Sequence, residues 1–170
     1  MPEIRFAVIG LGCRGYSVLK SVMLAFREIE VVALCDFYTD RVDQAFSEVR
    51  SRRGNKPFCS TDYRAVLSQE DVDAVYVATA WESHIEIAVE AMRVGKAVAL
   101  EVGGAYSIEE LCELVRTQEQ TGAPFVLEEL LHVERVLMGC VSPDSVDTSF
   151  EILAGNLEPR GKLTYDVKLK

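Results

Sequence analysis

Three glycines stand in Gly10-Leu11-Gly12-Cys13-Arg14-Gly15, directly after the apolar run Ile4–Ile9. Glycines at this spacing let a chain turn sharply, bring bare backbone against an anion, and let the next helix pack close on the strand before it. That helix would point its free amides and the positive end of its dipole at the anion. Asp36 stands 21 positions beyond Gly15, at the end of the second apolar run, where a carboxylate can hold ribose hydroxyls. The combined pattern predicts binding of a dinucleotide, the diphosphate on the glycines and the adenosine ribose on Asp36. A carboxylate in that place repels a 2′-phosphate, so NAD is expected over NADP, with Arg41 nearby as an opposing charge. Cys13 and Arg14 fill the variable positions. Cys13 is expected as a small buried filler rather than a thiol activated at a helix start, and Arg14 either borders the phosphates or is solvated.

Two further groups sit where ligands collect in open α/β sheets, outside the carboxyl ends of the strands. Ala78-Thr79-Ala80-Trp81-Glu82-Ser83-His84 follows one apolar run and Glu101-Val102-Gly103-Gly104-Ala105 follows the next. Thr79 and His84 are expected beside the cofactor, although a histidine in the first turn of a helix can equally be a surface or capping residue. Trp81, the single tryptophan, packs on the cofactor or covers the sheet edge. Glu101 binds ribose or nicotinamide-side groups, or serves the dipole of the following helix. Glu128 and Glu129 form no acid–base pair at a defined spacing.

Positioning these residues requires alternating strands and helices. Short apolar runs at Ile4–Ile9, Val31–Cys35, Ala74–Ala78, Ala97–Leu100 and Phe125–Leu127 read as strands buried on both faces, with a weaker one at Lys56–Cys59. Between them apolar residues recur at helical spacing: Val18, Val22 and Phe26; Val42, Ala45, Phe46 and Val49; Ile85, Ala88, Val89 and Met92; Ile108, Leu111, Leu114 and Val115. One more helix is expected between the weak strand and Ala74. Ser107 with Glu110 is a capping box and Gly122 a C-terminal stop, so a helix over 107–121 is the most secure element. Gly95-Lys96 ends the helix that begins near Ser83. The expected architecture is α/β, a doubly wound parallel sheet over 1–128. Residues 129–170 form a short appendage: a helical continuation to about Met138, a loop from Gly139 to Asp147, then a small antiparallel hairpin between Phe150 and Leu169.

The 170 residues suffice for one domain, and 18 basic against 27 acidic side chains leave a net charge of −9, which opposes contact with nucleic acid. No run approaches the roughly 18 apolar residues of a membrane-spanning helix. Five scattered cysteines without a C-x-x-C pair fit neither a disulfide framework nor a zinc site. A cytoplasmic setting, no bound metal and no secretory leader are expected.

Gly10 to Gly15, Asp36, Thr79 with His84, Ala88, Ala91, Gly95-Lys96 and Glu101 together resemble the N-terminal domain of the Gfo/Idh/MocA oxidoreductases, over roughly residues 3–128. The resemblance implies a Rossmann-like NAD(P)-binding domain that precedes a larger substrate domain, acting mostly on sugars or cyclitols. It also implies a departure. The family's Glu-Lys-Pro after the fifth strand is here Glu101-Val102-Gly103, so the lysine-dependent dehydrogenase mechanism does not carry over. Thr79 to His84 with Glu101-Val102 are similar to a branch that includes NAD-dependent α-N-acetylgalactosaminidase-type glycosidases, which oxidise C3 of the sugar transiently and then eliminate. The substrate domain would follow Leu127, where this sequence reads Glu128-Glu129-Leu130-Leu131-His132; a truncated or frame-shifted product is expected, inactive alone or a non-catalytic nucleotide-binding remnant. An apolar patch around Trp81 and Gly103-Gly104 would favour self-association into a homo-oligomer.

Overall fold

The computed structural model describes residues 4–127. The helical continuation, the loop and the hairpin expected over 129–170 lie outside the described residues, as does the boundary between the two expected units. Six strands, β1 (Ile4–Ile9), β2 (Ile29–Cys35), β3 (Phe58–Ser60), β4 (Ala74–Val77), β5 (Ala97–Leu100) and β6 (Phe125–Leu127), form one sheet in the order β3-β2-β1-β4-β5-β6. Every pairing is parallel. This is the strand order of a doubly wound dinucleotide fold, whose order reverses between β1 and β4.

Alternation along the strands divides the core in two. Ala7, Ile9, Val75 and Val77 point to one face, where they pack with Ile85, Ala88, Val89 and Met92 of α4 (Trp81–Arg93). Phe6, Val8, Ala74 and Tyr76 point to the other, against Val42, Ala45 and Val49 of α2 (Thr39–Arg53) and Val18 of α1 (Cys13–Val18). Strands covered on both faces are near-continuously apolar. β3 departs from that pattern: it is a short edge strand with two of its three residues exposed.

Element boundaries differ from the expectations in instructive ways. β2 begins at Ile29, two residues before its continuous apolar run, because Glu30 is only partly buried. The helix expected near Ser83 starts at Trp81. The short α3 (Tyr63–Leu67) occupies the place where a helix was expected without assigned residues, and Asp62 caps it by accepting from the Arg64 amide at 2.9 Å. α1 continues as a π-helical stretch, Leu19–Met23, which periodicity did not announce. At α5 (Ile108–Thr121) the Ser107 hydroxyl accepts from the Glu110 amide at 3.1 Å. The Glu110 carboxylate reaches back to the Tyr106 amide at 2.7 Å rather than to that of Ser107. Gly122 closes the helix at φ 65°.

Candidate functional site

The sharp exit from β1 is fixed by the sheet. Gly10 donates to the Cys35 carbonyl at 2.8 Å while Ala78 donates to that of Ile9 at 2.8 Å, so the β1 loop is pinned between the ends of β2 and β4. Gly10 has a φ of 95°, and a Cβ built there would lie 2.5 Å from the Ala78 backbone. A Cβ on Gly15 would lie 1.8 Å from the Gly10 carbonyl oxygen. Both glycines are demanded by the protein's own packing. Gly12 is not. Its φ of −64° suits any residue, and its Cβ would meet nothing nearer than Arg41 Nη1 at 3.7 Å.

Gly12 instead borders a cavity of about 530 Å³ outside the carboxyl ends of β1, β2 and β4. Gly10, Gly12, Cys13 and Arg14 form one wall, Asp36, Tyr38 and Arg41 a second, and Thr79 and Ser83 a third. Asp36, 7% exposed, ties two of these walls together. Its Oδ2 accepts from the Leu11 amide at 2.6 Å and its Oδ1 from the Tyr38 amide at 2.9 Å. Arg41 Nη1 stands 3.6 Å from Oδ1, and its guanidinium lies over the Tyr38 ring, 4.5 Å from the centroid. Ser83 donates to the Thr79 hydroxyl at 2.8 Å, fixing the third wall.

The remaining candidates fall into place differently. Cys13 is exposed and lines the cavity, so the expectation of a buried filler is corrected: the loop turns its side chain outward while Gly15 takes the tight packing. Cys35, which also lines the cavity at the end of β2, is the buried thiol, and burial with the neighbouring Asp36 charge pushes its pKa up to about 12. His84 is 1% exposed and lies behind the cavity wall, not in it. Its Nε2 donates to the Thr79 carbonyl at 3.0 Å and its Nδ1 stands 3.4 Å from the Gly103 carbonyl, so it links the loops after β4 and β5. Trp81, 57% exposed, packs against Gly103, where a Cβ would come within 2.7 Å of its ring. A Cβ on Gly104 would meet His84 at 2.5 Å. Glu101 is buried beneath Arg14, whose Nε donates to its Oε1 at 2.7 Å. Sequence spacing brought Gly10, Gly12, Arg14, Asp36 and Thr79 to one cavity and left Tyr38 and Tyr63 of its lining unnoticed.

A cavity on three strand ends, with one glycine that the fold itself does not need, is what a dinucleotide's diphosphate requires. The family model described as an oxidoreductase family with an NAD-binding Rossmann fold matches residues 4–129. The chain belongs to the Gfo/Idh/MocA oxidoreductase family. It carries that family's NAD-binding Rossmann domain. It is similar to a glycosyl hydrolase family 109 protein of Stenotrophomonas maltophilia, 32% identical over 147 residues, which are 82% of this chain and 32% of the relative. A glycosyl hydrolase family 109 protein of Saccharopolyspora erythraea is 38% identical over 122 residues, 69% of this chain and 26% of the relative. The chain thus spans about a third of the length of the relatives it matches. Among solved structures, a 3-ketoreductase from Actinomadura kijaniata in complex with TDP-benzene and NADP shares 26% identity at a TM-score of 0.65, over 86% of this chain and 44% of that one. The scyllo-inositol dehydrogenase of Lactobacillus casei, at 19% identity and a TM-score of 0.66 over 75% of this chain and 36% of that one, shares the fold. Among the described residues no helix is long and apolar enough to cross a membrane, and no cluster of side chains suits a metal ion.

Proposed function

We propose that this chain is the cofactor half of an NAD-dependent enzyme acting on sugars or cyclitols. The observation that carries the cofactor reading is Gly12: neither its backbone angles nor its neighbours require glycine, whereas a diphosphate laid against the loop does. Gly10, Gly12 and Arg14 would hold the diphosphate and Asp36 the adenosine ribose, with Tyr38 and Arg41 at the adenine end and Thr79 towards the nicotinamide. Bound there, the nicotinamide supplies reversible hydride transfer. The protein's part is to hold that ring at the carboxyl edge of β4, against the wall that Ser83 and His84 fix from behind.

NAD is favoured over NADP, because Asp36 presents its charge at the ribose end and is tied there by two backbone amides. Arg41, the cation that could take a 2′-phosphate, is already drawn to Asp36 and the Tyr38 ring. Titration calorimetry should show NAD binding at least about tenfold more tightly than NADP, a difference of about 1.4 kcal/mol. Equal affinities would remove Asp36 from the ribose.

The exposed thiol offers a footprint of the same site. Iodoacetamide at pH 8 should label Cys13 and spare Cys35, whose thiol is buried and titrates at about 12. NAD at ten times its Kd should slow Cys13 labelling about tenfold, as the free fraction falls. Cys59 lies outside the cavity and serves as the internal control by peptide mapping; equal protection of both would point to a global effect.

A second reading is favoured by Val102, which stands where the family resemblance puts a lysine, and by the family 109 names of the similar relatives. On that reading the whole protein cleaves glycosides and NAD is regenerated within each turnover. Release of nitrophenol from nitrophenyl glycosides without net NADH separates it from dehydrogenation of sugars or cyclitols, which accumulates NADH.

A further inference from the structure

Arg14, Tyr76 and Glu101 come from α1, β4 and the end of β5, and meet at one oxygen. Oε1 of Glu101 accepts from the Tyr76 hydroxyl at 2.6 Å and from Arg14 Nε at 2.7 Å. The Glu101 amide donates to the Val77 carbonyl at 3.0 Å, so its backbone is held by the sheet ladder. Tyr76 is fully buried in the core beneath α1 and α2 and can turn only as a rigid ring. The Glu101 side chain is 8% exposed and Arg14 31%, so the carboxylate is inside and Arg14 is the member of the trio that lines the cavity.

A buried carboxylate is tolerated only when paired and hydrogen-bonded, and here one pairing partner is the arginine beside the glycine loop. Arginine is long and rotamer-rich; a charge fixed before the ligand arrives loses less entropy on binding than one that must be collected from solvent. Holding Nε from behind fixes the arginine beside the loop, and a planar guanidinium suits phosphate oxygens.

We propose that Glu101, braced by Tyr76, is a positioning residue that sets Arg14 as the cation for the cofactor's diphosphate and does not itself touch the cofactor. The proposal deepens the dinucleotide reading and rests on it. It replaces the direct ribose or nicotinamide contact expected of Glu101 from its place after β5.

The test is a double-mutant cycle on the full chain, with NAD and ADP titrated by calorimetry and adenosine, which lacks the diphosphate, followed by saturation-transfer NMR. Arg14→Ala should weaken NAD and ADP about tenfold, the scale of one charge-assisted hydrogen bond, and leave adenosine unchanged. Glu101→Leu should weaken the same two probes, and the double variant should be no weaker than Arg14→Ala alone. Glu101→Gln keeps the acceptor and should stay within about threefold of the parent, because the pairing geometry rather than the carboxylate charge is what Arg14 needs. Tyr76→Phe repeats the cycle with the smallest possible change should Glu101→Leu not fold; its loss should vanish in the Arg14→Ala background. Losses that multiply in either double variant, or an adenosine affinity that falls with Glu101→Leu, would overturn the positioning role while leaving the cofactor site standing. A parent chain that binds neither NAD nor ADP would overturn the dinucleotide reading itself, and this proposal with it.

Discussion

Gly12→Val is expected to abolish measurable NAD binding, a loss of at least about 100-fold or about 2.7 kcal/mol, while the chain stays folded. The structure separates the two effects. Gly12 sits at the N-cap of α1 with φ −64° and ψ −170°, angles open to a β-branched residue, and the space where its Cβ would stand is clear of protein to 3.7 Å. Valine is a poorer N-cap than glycine by about 1 kcal/mol, whereas removing a glycine stiffens the unfolded chain and returns about 0.4–1 kcal/mol. The net change in stability is therefore small. The branched side chain would occupy the cavity wall between Gly10 and Arg14, where the diphosphate is expected to lie. Thermal melting beside calorimetric titration checks both halves. An unaltered NAD affinity would move the phosphate site away from the glycine loop, and collapse of the fold would show that Gly12 is held by packing after all.

The sheet was legible because its strands are buried on both faces and so announce themselves as apolar runs with helical periods between them. β1, β5 and β6 match their expected bounds, Ile4–Ile9, Ala97–Leu100 and Phe125–Leu127. Fainter or unmarked were elements whose signal is tertiary: the weak strand expected at Lys56–Cys59 stands at Phe58–Ser60. β3 is an exposed edge strand of three residues, held by its register against Ala33 to Cys35 and by little of its own sequence. The π-helical stretch Leu19–Met23 keeps Leu19 and Met23 in the core at a spacing that an α-helix also allows, so its backbone pattern leaves no mark on the apolar period.

The site shows the same division. Spacing brought Gly10, Gly12 and Asp36 to one cavity because their positions are local to a loop and a strand end. Which way a side chain turns at those ends depends on neighbours far along the chain. His84 turns inward because Gly104 leaves room for its ring, and Trp81 lies flat because Gly103 does the same 22 positions after it in the chain. The signal for both was present in the sequence as Gly103-Gly104, but it read as a relaxed loop rather than as space for two rings. The partners of Glu101, Arg14 and Tyr76, are 87 and 25 residues away, so spacing could not show that its carboxylate is bound by both.

Gly15→Ala should act in the opposite sense to Gly12→Val, costing the fold itself about 3 kcal/mol or more, at the upper end of what overpacking does. The added methyl would be built 1.8 Å from the Gly10 carbonyl oxygen and 3.4 Å from the Ala78 Cβ. Neither side can yield cheaply. The Gly10 amide is bonded to the Cys35 carbonyl, and the residue before Ala78 belongs to the central strand β4, so relieving the contact means lifting α1 off the sheet. Lifting α1 would uncover Val18 and Leu19, both in the core of that face. For a domain of this size the expected fall in Tm is roughly 10 °C, with the broadened transition of a loosened α1. NAD binding should weaken as well, though only because less of the protein is folded, so saturating cofactor should recover part of the lost Tm in Gly15→Ala and none in Gly12→Val. Differential scanning calorimetry with and without NAD reads this contrast directly: a Gly15→Ala chain as stable as its parent would mean that α1 is not packed on β1 as closely as the loop geometry requires.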